Sequence, residues 1–229
     1  MGRRGFARSG VALIVLGLLA GSTPASAAAN VRNGGFETGT FQGWARKDRG
    51  SGSWLVYSGT TLPAPAFAGG GPGPFPEPPR GQYAAVTVQG GPGAHLLHQR
   101  IRLAAGERHV LKFFIYWHNT ASRWVNPHTF DFGGGGGAAG FQGGAPENPN
   151  QQFRVDVLEA DAPLWTLNRK RILATVIRSK RDTRLIRNNP KAVVFDLSEF
   201  AGQRVRLRFA EVDNLGELNV AIDHVRVVG

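Results

Sequence analysis

From residue 53 onward the sequence is a succession of short β-type runs cut apart by glycine and proline, with no convincing stretch of capped helical period. Alternating or β-branched runs occur at Ser53–Ser58, Gln82–Gln89, His95–Leu103, His109–His118, Gln152–Glu159, Ile172–Ile177, Ala192–Leu197, Gln203–Val212 and Leu218–Val228. This is the pattern of half-buried strands. Turn signals such as Gly90-Gly91-Pro92-Gly93 and Ala201-Gly202-Gln203 bound several of them. The one helical candidate is a short turn near Ser198–Ala201. Strands at this spacing predict an all-β, two-sheet sandwich.

The residues before this region divide in two. Residues 1–28 have the layout of a secretory signal peptide: Arg3, Arg4 and Arg8, then the apolar run Val11 to Ala20, then Ala25-Ser26-Ala27. The apolar run is about half the ~20 residues that span a bilayer. The expectation is a secreted, extracellular protein with no membrane insertion after cleavage, its residues 29–229 forming one domain and behaving as a monomer.

Charge narrows the partners. The chain carries 27 Lys+Arg against 16 Asp+Glu, a formal +11. Loss of the three signal arginines leaves 24 basic and 16 acidic residues. Between Arg169 and Lys191 nine basic residues stand against the single acid Asp182, so this segment alone equals the remaining excess. A local basic stretch on an exported domain argues against nucleic acid and for anionic polymers. Arg178, Lys180, Arg181, Arg184 and Arg187 are the candidate anion-binding residues. With no cysteine in the chain, disulfides, thiolate metal sites and a cysteine nucleophile are excluded.

Two segments break the strand pattern. Residues 60–80 hold seven prolines, and residues 130–150 contain Gly133–Gly137 in a row. Both read as long loops, the first partly ordered through Phe67 and Phe75 and the second disordered.

Alternation assigns faces. Val205, Leu207 and Phe209 face the core and Arg204, Arg206 and Arg208 face out. Phe153, Val155 and Val157 oppose Arg154 and Asp156. Leu97, Ile101 and Leu103 oppose His98, Arg100 and Arg102. In Leu111–His118 the odd positions are apolar, while Lys112, Phe114, Tyr116 and His118 make an aromatic, polar outer face. Sugars stack on such faces, so Trp54, Tyr57, Tyr116, His118 and Trp124 are the candidate ligand-binding residues.

Asn33-Gly34-Gly35-Phe36-Glu37-Thr38-Gly39, followed by Phe41-Gln42-Gly43-Trp44, resembles the opening of secreted carbohydrate-binding modules of the galactose-binding-like type. Ala221-Ile222-Asp223-His224-Val225-Arg226-Val227 is similar to their last strand, and Gly81–Ala85, Leu97–Ile101 and Leu207–Phe209 fall in the expected order. The resemblance implies a jelly-roll β-sandwich, a non-catalytic carbohydrate-binding function and a structural calcium ion. Glu37 and Asp223 stand at the family's metal-ligating positions, and carboxylate oxygens suit a hard cation.

Catalysis finds little support. Motifs for a serine elbow, a His-Glu-x-x-His zinc site and a phosphate loop are missing. Glu211 and Asp213 share a strand face, with a structural role near a turn as the simpler reading. His95 and His98 point to opposite faces and cannot share a metal.

Overall fold

The computed structural model describes residues 31–63, 74–133 and 146–229. The proposed signal peptide, Phe67 and most of the glycine run lie outside them. Ten strands form: β1 (Ala45–Gly50), β2 (Ser53–Tyr57), β3 (Ala84–Val88), β4 (Gly93–Arg102), β5 (Val110–Asn119), β6 (Gln151–Glu159), β7 (Ile172–Arg178), β8 (Ile186–Asp196), β9 (Arg204–Asp213) and β10 (Leu218–Val228). Among the described residues the single helical element is one 3₁₀ turn, Ser198–Phe200.

The strands make two five-stranded antiparallel sheets, ordered β1-β4-β9-β6-β7 and β2-β3-β10-β5-β8. This is the expected all-β jelly-roll sandwich. Each sheet turns one set of alternating side chains inward, and these meet as one core containing Phe36, Trp44, Leu97, Phe113, Trp117, Phe153, Leu207, Phe209 and Ile222. Aromatic edges pack against faces within it, as between Phe113 and Phe209, whose ring centroids are 5.4 Å apart at 89°.

Nine of the strands fall where the sequence places them; β1 does not announce itself. Its sequence, Ala-Arg-Lys-Asp-Arg-Gly, has no apolar alternation because all six residues are exposed on a sheet edge. The basic segment lies on sheet edges. It contributes β7, the edge of one sheet, and the start of β8, the edge of the other. Charged residues along open edges block further strand pairing, which gives Arg178, Arg187 and Lys191 a structural reason.

Two face assignments are corrected. Arg206 and Arg208 do not face solvent: they are 3% and 0% exposed. The chain after β6 folds over them, so that Arg206 donates to the Ala162 carbonyl and Arg208 to those of Leu164 and Thr166. Arg154 and Asp156 lie beneath the same cover. Among the described residues no helix is long and apolar enough to cross a membrane.

Candidate functional site

The predicted aromatic platform is covered. Trp54, Tyr57, Tyr116 and Trp124 are all buried, and only His118 is half-exposed. Phe75, from the proline-rich loop, lies over Tyr57 and Tyr116 with centroids 5.7 and 5.5 Å away. The two tyrosine hydroxyls hydrogen-bond each other, and Tyr57 also donates to the Pro76 carbonyl. Burial raises the Tyr57 hydroxyl well above its ordinary range, and both phenols are neutral anchors. Trp54 points into the core, while Trp124 packs on Trp117 and Phe153. The solvent-exposed placement of these four rings is therefore corrected. Alternation identified the outer face of β5, but not the loop that closes over it.

The predicted anion-binding residues run from the end of β7 across the turn to the start of β8. Arg178, Lys180, Arg181 and Arg184 are exposed and Arg187 is half-buried, its guanidinium 5.3 Å from the Trp117 ring. The indole N–H groups of Trp117 and Trp124 both donate to the Arg184 carbonyl, at 2.8 and 3.2 Å. The turn is thus tied to the core from inside while its charges face water.

Glu37 and Asp223 converge. A side chain on Gly35 would begin 3.7 Å from a Glu37 oxygen and 3.8 Å from an Asp223 oxygen. Glu37 accepts the backbone N–H groups of Gln82 and Tyr83, at 2.9 and 3.2 Å. Asp223 accepts that of Arg80 at 3.0 Å and that of His224. Burial, with a further contribution from the Glu37 charge and against these backbone donors, pushes the Asp223 carboxyl up to about 7. The two carboxylates thus lie near one another, each accepting two backbone N–H groups, and the Glu37 charge is felt at Asp223.

A second group of carboxylates meets at the opposite end of the sandwich. The β4–β9 register sets His95 opposite Glu211 and Gly93 opposite Asp213. His95, Glu211 and Asp213 are all fully buried, with one ligand-type atom from each lying within 4.8 Å of the others. Glu211 accepts from Gln89 Nε2 at 2.8 Å, and Asp213 from the Gly93 N–H at 3.1 Å. Burial raises the Glu211 carboxyl well above its ordinary value, and the neighbouring Asp213 charge adds to this. Asp213 is also raised by burial, against the Gly93 N–H. Sequence reasoning places Glu211 and Asp213 on one strand face, but weighs His95 only against His98 and does not join it to them. The available signal was alternation, since His95 shares its strand face with Leu97 and Ile101.

Along β4 the outer surface opens into a depression of about 590 Å³ whose lining includes Arg32, His98, Arg100, Arg102 and Arg204. It adjoins a second hollow of about 480 Å³ bounded by Arg100, Arg204, Glu159, Asp161 and Arg171. Among the described residues, Arg32, Arg102 and Arg204 have no carboxylate within 4.0 Å. Burial first, and then the charges of Arg206 and Arg100, lower the His98 imidazole to about 4. At neutral pH it is an uncharged donor and acceptor among cations.

No protein-family model matches the chain, and no curated protein does. Among solved structures it is similar to TmCBM61, a module solved with β-1,4-galactotriose, at 14% identity and a TM-score of 0.49, over 88% of this chain and 99% of that one. It is also similar to a cleaved adhesin domain of Lys-gingipain from Porphyromonas gingivalis, at 14% identity and a TM-score of 0.46, over 88% and 98%. The family 11 carbohydrate-binding module from Clostridium thermocellum, solved with a mixed-linked tetrasaccharide, is similar at 8% identity and a TM-score of 0.39, over 84% and 92%.

Proposed function

We propose that this domain is a secreted, non-catalytic carbohydrate-binding module whose ligand is an acidic polysaccharide held along the outer face of β4. The observation that carries this reading is the open depression lined by Arg32, Arg100, Arg102 and Arg204, three of them without a carboxylate partner among the described residues. Guanidinium groups bind carboxylates and sulfates through paired N–H donors. A row of them at strand spacing matches a polymer with a charge on successive sugars. His98 and the amphipathic arginine stems supply the polar and apolar contacts a sugar ring needs. This reading joins carbohydrate binding to electrostatic adhesion, and the exposed Arg178, Lys180, Arg181 and Arg184 extend the positive field. Calcium between Glu37 and Asp223 is the proposed structural cofactor; it would hold the N-terminal segment to the last strand.

The test is binding of the purified chain to a polyuronate, a sulfated glycan and a neutral β-glucan. Retention on the two acidic polymers should fall steeply with salt. The double variant R102A/R204A should bind them at least tenfold more weakly. Equal binding to the neutral polymer, or no effect of the double variant, sinks the reading.

A further inference from the structure

We propose that His95, Glu211 and Asp213 form an internal site for one divalent transition-metal ion of the zinc or manganese class, at the end of the sandwich away from Glu37 and Asp223. The proposal is independent of glycan binding, because the site is enclosed and the β4 depression is open.

The first support is an imbalance of hydrogen bonds. Glu211 Oε1, Asp213 Oδ2 and Gln89 Oε1 are all buried, and none has a hydrogen-bond partner among the described residues. Buried acceptors without donors are costly, and buried carboxylates more so. No Lys or Arg lies within ion-pair distance of Glu211 or Asp213 among the described residues. Oxygens that lack donors are the complement of a cation, and ligand atoms of His95, Glu211 and Asp213 lie within 4.8 Å of one another, close enough to share one ion.

The histidine gives the second support. Its Nδ1 lies 3.0 Å from Asp48 Oδ1, and its Nε2 lies 2.9 Å from the Ser51 carbonyl oxygen. When Nδ1–H donates to Asp48, Nε2 and the Ser51 oxygen face each other with lone pairs. Either a proton on Nε2 or a bound ion beside it relieves this contact, and the ion also serves the unpartnered carboxylate oxygens. A carboxylate on the far nitrogen of a metal-bound histidine is the usual device for orienting it. Two ligands about 2.1 Å from one ion stand about 3.0 Å apart at the right angle of a six-coordinate site and about 3.4 Å apart in a tetrahedral one, so the 2.9 Å spacing here fits the six-coordinate arrangement.

Glycine supplies the third. A Cβ on Gly93 would fall 2.6 Å from His95 Nε2 and 2.5 Å from the Ser51 oxygen. Only glycine leaves that space open. The choice of ion follows from the donors, since an imidazole nitrogen beside carboxylates favours zinc or manganese over calcium. Ser51 lies between β1 and β2, which belong to different sheets. A bound ion would therefore clip this crossover to the central strands β4 and β9.

The experiment uses the tag-free full chain, stripped with chelator and then dialysed against micromolar zinc or manganese. Bound metal is read by elemental analysis and stability by thermal melting. We expect one retained equivalent of zinc or manganese and a higher melting temperature. Retention should weaken at least tenfold in E211Q and be unchanged in D223N. If E211Q does not fold, cobalt(II) in the unaltered chain decides, because the His95 ring signals should then shift paramagnetically. No retained ion, retention unaffected by E211Q, loss in D223N, or unshifted His95 signals each overturn the proposal.

Discussion

Arg208 and Asp156, on adjacent strands of one sheet, form an ion pair with both side chains at 0% exposure and Nη2 2.6 Å from Oδ2. Arg154 grips the same carboxylate through two further bonds of 2.7 Å, and Thr175 adds another at 2.9 Å. The arginines that alternation sends outward are thus an internal scaffold, which anchors the covering loop through its carbonyls. Breaking such a pair from one side strands a buried charge, at about 3–5 kcal/mol. Asp156→Ala should therefore lower unfolding stability by that order in urea titrations, whereas Arg100→Ala, whose partner Asp161 is exposed at 3.6 Å, should cost under about 1 kcal/mol.

The same carboxylate gives an acid-side prediction. Burial alone would raise Asp156, but the hydrogen bonds and charges of Arg154 and Arg208 outweigh it and hold the group below the ordinary range. A carboxyl depressed in the folded state contributes stability that is complete above its unfolded value, near 4, and is lost as pH falls through its folded value. Acid unfolding should therefore be shallower in Asp156→Asn than in the unaltered chain.

Asp223 predicts the opposite trend. Its folded value, about 7, lies above the unfolded one, so its contribution is complete at low pH and is lost as pH rises from about 4 through 7. Without calcium, the melting temperature should fall over that window, and Asp223→Asn should flatten the fall. Millimolar calcium should restore stability at pH 8 in the unaltered chain and not in the variant. A melting curve indifferent to calcium would remove the proposed ion.

Phe75→Ala should uncover Tyr57 and Tyr116. Phe75 is 3% exposed, and deleting a buried phenylalanine side chain costs about 3 kcal/mol or more. Tyrosine nitration by a small reagent, mapped by mass spectrometry, should appear at Tyr57 or Tyr116 only in this variant.

Gly34 marks where the N-terminal segment meets β10. A Cβ there would stand 1.8 Å from the Val225 carbonyl oxygen, beside the 2.8 Å bond from the Val225 N–H to the Gly34 oxygen. Gly34→Ala should displace that segment and lower the melting temperature by several degrees. Ala at Gly106, where nothing lies within 4 Å, should cost less; its φ of +72° leaves only backbone strain.

The sequence by itself determined nine of the ten strands and the sandwich, because alternation at period two is a local property that burial of one sheet face imposes on a strand. It also placed the core residues of β4, β5, β6 and β9, and it brought Glu37 and Asp223 forward through the motifs at its two ends. Local pattern could not report what lies above an outer face. Tyr116, Arg206 and Arg208 occupy outward positions on their strands, yet loops drawn from Phe75 and from residues 160–168 bury them. The tertiary structure alone decided that β1 pairs as an exposed edge, that the basic segment forms two sheet edges, and that His95, Glu211 and Asp213 meet inside. Contacts around the buried group join residues far apart in the chain, 47 positions for His95 with Asp48 and 122 for Gln89 with Glu211. Only the register of one strand against another, and the path of a loop across a sheet, sets such distances.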